Sequence, residues 1–505
     1  MTLQSFRHEV ARINDILGAI NLLTWDSRVM MPAAGVEARG AQIATLTGLA
    51  RELATGPTLA AAIDAARAEL GGRPPEDRDR RAVETTAAAV ATLGRIPAAL
   101  VGEAANLKTT AQAAWAAARR DNDFQSFAPA LSRTIAIQRE IAEAIGYESH
   151  PYDAMIGLYE PDMDWARLQA IYAELKAGLL PLVARATAGG EPVPAFLARA
   201  FPIAGQKAFG QSMAARMGYD FARGRLDETV HPFEISFAPT DVRITSRYRE
   251  TFLPGGLFAV WHEAGHGIYE QGVDPALARS AFTTDFVNLY AVGGASFSLH
   301  ESQSRLYENR VGRSRKFWEL HYGELRDTFP DQLADVDAET FWRGVNHVRP
   351  SLIRVEADEM TYDLHVMLRS EIEAGLMDGT VAVKDLPGVW ADKMQALLGL
   401  TPPSDTVGVL QDVHWSSGMI GSFPTYTLGN IMSSQLFAAA SAKTDVAEGL
   451  DAGNYAPLTA FLNRGIHAHA RASTPAETLR RVTGSDLDMA PYLADLGRKV
   501  DLLVG

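Results

Sequence analysis

In the stretch His262-Glu263-Ala264-Gly265-His266, two imidazoles stand four residues apart and a carboxylate directly follows the first. On a helix, residues at that spacing share a face, so both histidines can close on one metal ion. Glu263 is turned about a quarter-turn away, where it reaches a water on that ion without ligating it. This is a zinc-hydrolase arrangement. The competing reading is accident, because histidines in helices mostly pack or face solvent. The flanks decide for a helix: Leu257 to Trp261 and Ile268 to Gln271 read as buried helical turns, with Gly272 at the C-terminal end and Pro275 beyond.

Catalytic zinc normally takes three protein ligands and leaves a fourth position for water. The chain has no Cys, which excludes disulfides, thiolate metal sites and a cysteine nucleophile. The third ligand must therefore come from His, Asp or Glu. Glu301 is the choice, early in the periodic segment His300 to Glu308, with His300, Glu308 and Asp285 as alternatives.

The elements that position these groups read as mainly helical. The first hundred and twenty residues or so alternate Ala/Leu-rich periodic segments with short breaks such as Gly71 to Asp77. Gly189 to Pro194 is linker-like, but its flanks stay helical and no domain boundary is placed there. The expected organisation is a single catalytic unit over 1–505, its helical half 1–225 packing on a metal-binding half 226–505. One segment departs from the helical period. His231 to Phe237 and Val242 to Tyr248 alternate apolar and polar residues around Ala238-Pro239-Thr240-Asp241, which predicts a β-hairpin. Phe233, Ile235, Phe237, Val242 and Ile244 are expected on one face, and Glu234, Ser236, Arg243 and Thr245 on the other. Beyond the motif the pattern is helical again, broken at Thr401 to Asp405 and Gly418 to Pro424.

The 505 residues allow a large core, and 47% hydrophobic with 21% charged residues is ordinary for a soluble globular protein. A net charge of -14 repels nucleic acid and anionic membrane surfaces, so neither is expected as a partner. The first ten residues carry charges where a signal peptide needs its apolar run, and the expected location is cytoplasmic.

Beyond HEAGH and the run from His300 to Arg305, the segments His231-Pro232-Phe233, Asp241 to Thr245, Ile353 to Asp358 and Gly408 to Trp415 resemble, in order, signatures of the carboxypeptidase Taq family. Leu23 to Asp26 with Met31-Pro32, and Pro151 to Asp153 with Tyr159 to Pro161, extend the resemblance to the N-terminal half. The resemblance implies a large helical metallopeptidase fold with a small antiparallel β-sheet beside a deep active-site groove. It implies a homodimer, and release of single residues from peptide C-termini with broad specificity. His262, His266 and Glu301 become metal ligands and Glu263 the general base, with one divalent metal per chain: zinc, or cobalt or manganese on the same donors. An endopeptidase or oligopeptidase, or a non-catalytic metal-binding protein, are the competing readings of HEAGH itself.

For such an enzyme a guanidinium suits the substrate's terminal carboxylate, because its planar fork binds both oxygens. Arg354 leads and Arg243 follows, although an arginine beside Asp241 equally reads as a structural ion pair. His414, His231 and Tyr426 can donate to the oxygen that gains charge in the transition state. Each also has a packing role: His414 beside Trp415 can hold its loop, and His231 before Pro232 can cap the hairpin. Asp412 can orient a histidine. Two features depart from the family pattern. The stretch from Gly272 to His300 is longer by roughly two helical turns, and Ser422 stands where an aromatic residue is expected.

Overall fold

The periodic segment that opens the chain forms one long helix, Leu3–Val29. Its Phe6, Val10, Ile13, Leu17 and Ile20 recur at helical spacing and are buried in one cluster with Leu59, Ile63, Ala66 and Leu70 of the helix Pro57–Leu70. The computed structural model describes residues 2–190 and 192–505. Met1 and Glu191, which belong to the N-terminal and linker-like stretches read above, lie outside the described residues. Helices dominate throughout, as the periodicity predicts. Among the described residues no single helix is long and apolar enough to cross a membrane.

The chain forms two compact units, each built from three separate segments. One comprises Met1–Leu93, Val193–Val345 and Gly429–Asp488; the other comprises Gly94–Pro192, Asn346–Leu428 and Met489–Gly505. One passage between them thus falls inside the linker-like stretch Gly189 to Pro194, and the first 225 residues contribute to both.

In the first unit the expected hairpin is present as β2 (Glu234–Ala238) and β3 (Asp241–Ser246), preceded by β1 (Gly224–Glu228). The order is β1-β3-β2, with β1 parallel and β2 antiparallel to β3. Leu226 is the only large apolar residue of β1, so no alternation announced that strand.

The expected faces of the hairpin are wrong, and a single residue is responsible. Ala238 pairs with Asp241, but Ser236 pairs with Val242, leaving Phe237 as a bulge. From there the register is displaced by one, so Ile235 lies opposite Arg243 and Glu234 opposite Ile244. Directly paired residues share a face, so Glu234 and Ser236 accompany Val242 and Ile244 rather than opposing them. That face meets the helix Leu253–Gln271: Ser236 Oγ donates to Glu270, and Ile244 lies against Gly267. Arg243 lies on the other face, with its guanidinium 4.3 Å from the Trp25 ring of the first helix.

Candidate active site

HEAGH lies within the helix Leu253–Gln271, which has Pro254 in its first turn and Gly272 at its end. The helix is buried on most of its surface, with Leu257, Val260, Trp261, Ala264 and Tyr269 each at most 1% exposed. His262 and His266 are partly accessible, as are Pro254, Gly255 and Ala259 nearer its start. Against it lies the helix Phe297–Arg305, whose first turn is capped by Ser296 Oγ accepting the Leu299 N–H. Gly265 makes the approach possible: a Cβ there would stand 2.5 Å from Gln303 O and 2.6 Å from Ser304 Cα. Gly429 does the same on the far side of Glu301, whose Cγ lies 2.7 Å from where its Cβ would be.

This crossing brings Glu301 Oε2 to 3.5 Å from His262 Nε2 and 3.2 Å from His266 Nε2. One donor atom from each of the three residues lies within 4.8 Å of the others. Of the candidates for third ligand, Glu301 joins this group. Glu308 and His300 approach the histidines from behind: Glu308 Oε2 is 2.9 Å from His262 Nδ1, and His300 Nδ1 is 2.6 Å from His266 Nδ1. Asp285 accepts the N–H groups of Val287 and Asn288 in the turn between β4 (Thr284–Asp285) and β5 (Tyr290–Ala291).

The hydrogen bonds assign the tautomers. Glu270 accepts from His300 Nε2 at 2.9 Å, so His300 Nδ1 carries a lone pair and accepts the Nδ1–H of His266. Likewise His262 Nδ1–H donates to Glu308. Both Nε2 lone pairs are left for an ion, the arrangement in which an outer acceptor fixes a ligating imidazole. Glu270 is itself held by Ser236 Oγ at 3.1 Å and the Gly293 N–H at 3.0 Å. The long stretch between Gly272 and His300 thus contributes a backbone donor to the rear of the site. The first helix fastens that stretch through Asn14 to Thr283 O and Asn21 to Ala291 O, each at 2.9 Å.

Charge is distributed to match. Burial alone would raise the Glu301 carboxyl, but His262, Arg305 and His266 outweigh it and hold it well below the usual range. Burial pushes His266 down to about 3, so its imidazole is neutral, as a ligand must be. Burial pushes Glu263 up to about 7, assisted by Glu301 and Glu308 and opposed by His262. After Arg305 the helix widens into a π turn, Leu306–Gly312, which carries Glu308 back towards His262.

The family model for carboxypeptidase Taq (M32) metallopeptidases matches residues 5–500. The chain belongs to that family. Thermostable carboxypeptidase 1 of Thermus thermophilus is 38% identical over 515 residues, spanning 100% of this chain and 98% of its own. Carboxypeptidase 1 of Bacillus subtilis is 37% identical over 488 residues, covering 96% and 95%. The crystal structure of an M32 carboxypeptidase from Deinococcus radiodurans is similar at TM-score 0.93 and 38% identity, over 99% of both chains. This M32 protein is therefore a metallocarboxypeptidase, a peptide hydrolase whose family implies a divalent metal. The donors fit one: two imidazole Nε2 atoms and a carboxylate oxygen, with both Nδ1 atoms already committed elsewhere.

The remaining expected residues of this M32 chain fall in two places. Arg354, Asp412, His414 and Tyr426 gather in the second unit. Arg354 Nη2 and Nε reach Asp412 Oδ1 at 2.9 and 3.2 Å, and Nη1 donates to Tyr362 Oη at 2.8 Å. His414 Nε2 lies 3.2 Å from Tyr426 Oη. Arg243 and His231 belong to the first unit. Arg243 forks onto both oxygens of Asp241 at 2.9 Å, and His231 is exposed just before β2. Sequence reasoning missed Glu270 and Arg369. Glu270 was detectable, because the four-residue step from His262 to His266 reaches it next. Arg369 is wholly buried and takes the other oxygen of Asp412 at 2.7 Å.

Proposed function

We propose that this protein releases single C-terminal residues from peptides, with His262 Nε2, His266 Nε2 and Glu301 holding a zinc ion, for which cobalt or manganese can substitute. The observation that carries this reading is the convergence of those three donors with both imidazoles tied back through Nδ1. When bound, the metal supplies a Lewis acid that polarises the scissile carbonyl and acidifies a water. Glu263, adjacent in sequence to His262 and buried beside Glu301 and Glu308, accepts the proton of the attacking water and delivers it to the leaving amine. A carboxylate pushed up to about 7 suits both halves of that exchange near neutral pH.

Arg354 binds the substrate's terminal carboxylate. Arg354 and Arg369 share Asp412, so the trio has one positive charge more than that carboxylate balances. Arg243 is likewise paired, with Asp241, but one to one, so that pair carries no surplus positive charge, and its guanidinium lies over Trp25. His414 and Tyr426, mutual neighbours, donate to the carbonyl oxygen as it gains charge.

An N-blocked peptide digested by the metal-loaded enzyme should yield a ladder shortened from its C-terminus, and amidation of that end should stop it. Internal cuts in the mass spectrum would instead establish an endopeptidase. Glu263→Gln should keep stoichiometric metal and lose at least about 10²-fold in kcat; near-normal turnover in that variant would remove Glu263 from its role.

A further inference from the structure

The helix Tyr362–Asp378 carries a buried polar stripe in which His365, Arg369 and Glu373 recur every four residues, each 0% exposed. Arg369 is explained by Asp412 and Gln411. Glu373 has no part in the chemistry above, yet its carboxylate receives three donors. Trp415 Nε1–H reaches Oε1 at 2.9 Å, while the Gly421 N–H and Tyr152 O–H reach Oε2 at 2.9 and 2.6 Å.

Two of those donors bracket one stretch of chain. Trp415 directly follows His414, and Gly421 stands two residues before Phe423, whose ring centroid is 4.4 Å from that of His414. Between them the chain makes a short 3₁₀ turn, Trp415–Ser417, and passes through Gly418 and Gly421 at φ of 73° and 88°. The stretch closes its own turns, with the Ser417 and Met419 N–H groups both donating to His414 O and the Gly418 N–H to Trp415 O, so it is held as one piece with His414 and its anchors to the rest of the fold set its position. Gly421 also packs so closely that an added Cβ would lie 2.5 Å from the Met155 carbonyl.

We propose that Glu373 is a positioning residue: by clamping Trp415 and Gly421 it fixes the His414 ring between Phe423 and Tyr426, and it acts on turnover through His414. This inference rests on the reading of His414 as a donor to the transition state. Were the carboxylate only a stabiliser of the fold, replacing it would lower the melting temperature without touching kcat below it.

The test is a double-mutant cycle on the metal-loaded enzyme with Glu373→Gln, His414→Ala and the pair, measuring kcat, KM, metal content and Tm. Gln retains the size but has a single acceptor oxygen, so either Trp415 or Gly421 loses its partner. Metal content and KM should stay at wild-type values. His414→Ala should lose about 10²-fold in kcat and Glu373→Gln about tenfold, with the double variant no worse than His414→Ala. Wild-type kcat in Glu373→Gln, with His414→Ala impaired, overturns the positioning role alone, as do losses that multiply in the pair. Wild-type kcat in His414→Ala sinks the donor reading, and this inference with it. If Glu373→Gln does not fold, Trp415→Phe removes one clamp bond from the other side. Its kcat should fall at constant KM, and an unchanged kcat is equally decisive against the proposal.

Discussion

At the residue scale the metal cluster depends on which nitrogen of each imidazole is left over. His266 is held by a chain that runs through His300 to Glu270, and His262 by Glu308, which Arg305 and Arg313 hold in turn. Glu270→Gln and His300→Ala should each weaken metal affinity by about 10–100-fold, measured by chelator competition at fixed pH. A dissociation constant equal to wild type would show that the outer chain is incidental. A second residue-scale effect concerns protons. Burial pushes Glu373 up to about 7 from an ordinary 4.5, against the opposing pull of its hydrogen bonds and Arg369. With its pKa raised, the folded protein keeps a proton that the unfolded chain has released, so the stabilisation is complete at low pH and is lost as pH rises through about 7. The Tm of wild type relative to Glu373→Gln should therefore decline between pH 4.5 and 7. A constant difference across that window would mean the carboxyl titrates normally.

At the element scale the decisive event is the crossing of Leu253–Gln271 over Phe297–Arg305 at Gly265. Gly265→Ala forces a methyl into the Gln303 backbone, and overpacking of that kind costs about 1–3 kcal/mol. It should lower the Tm and, by moving Glu301 away from the histidines, weaken metal binding as well. A Tm loss with unchanged affinity would show that the helices part without disturbing the donors. Much of this level was legible in the sequence. The spacing of His262 and His266 named a helix face, and the apolar flanks named a buried helix. Gly265 was silent because the need for a glycine depends on a backbone arriving from elsewhere, which no local pattern records. The hairpin was legible as an element but not in its faces, since the bulge at Phe237 leaves the alternation of residue types intact while displacing the register.

At the scale of the molecule, the units do not follow the order of the chain. The metal-bearing unit takes segments from the start, the middle and near the end of the sequence. Fragments cut between 225 and 226 should therefore each lack part of both cores and fail to fold alone. Cooperative melting of either purified fragment would contradict this. Such interleaving is a matter of long-range contacts, and the composition on either side of Gly189 to Pro194 gives no sign of it. Gly429 has a further consequence, because its packing against Glu301 places the last wall of the metal cluster far downstream of the donors themselves. A ribosome has already made His262, His266 and Glu301 while that wall is still unsynthesised. With the proposed ligands, the nascent chain would offer an ion only a partial binding place until the helix Pro424–Ser441 has emerged and folded.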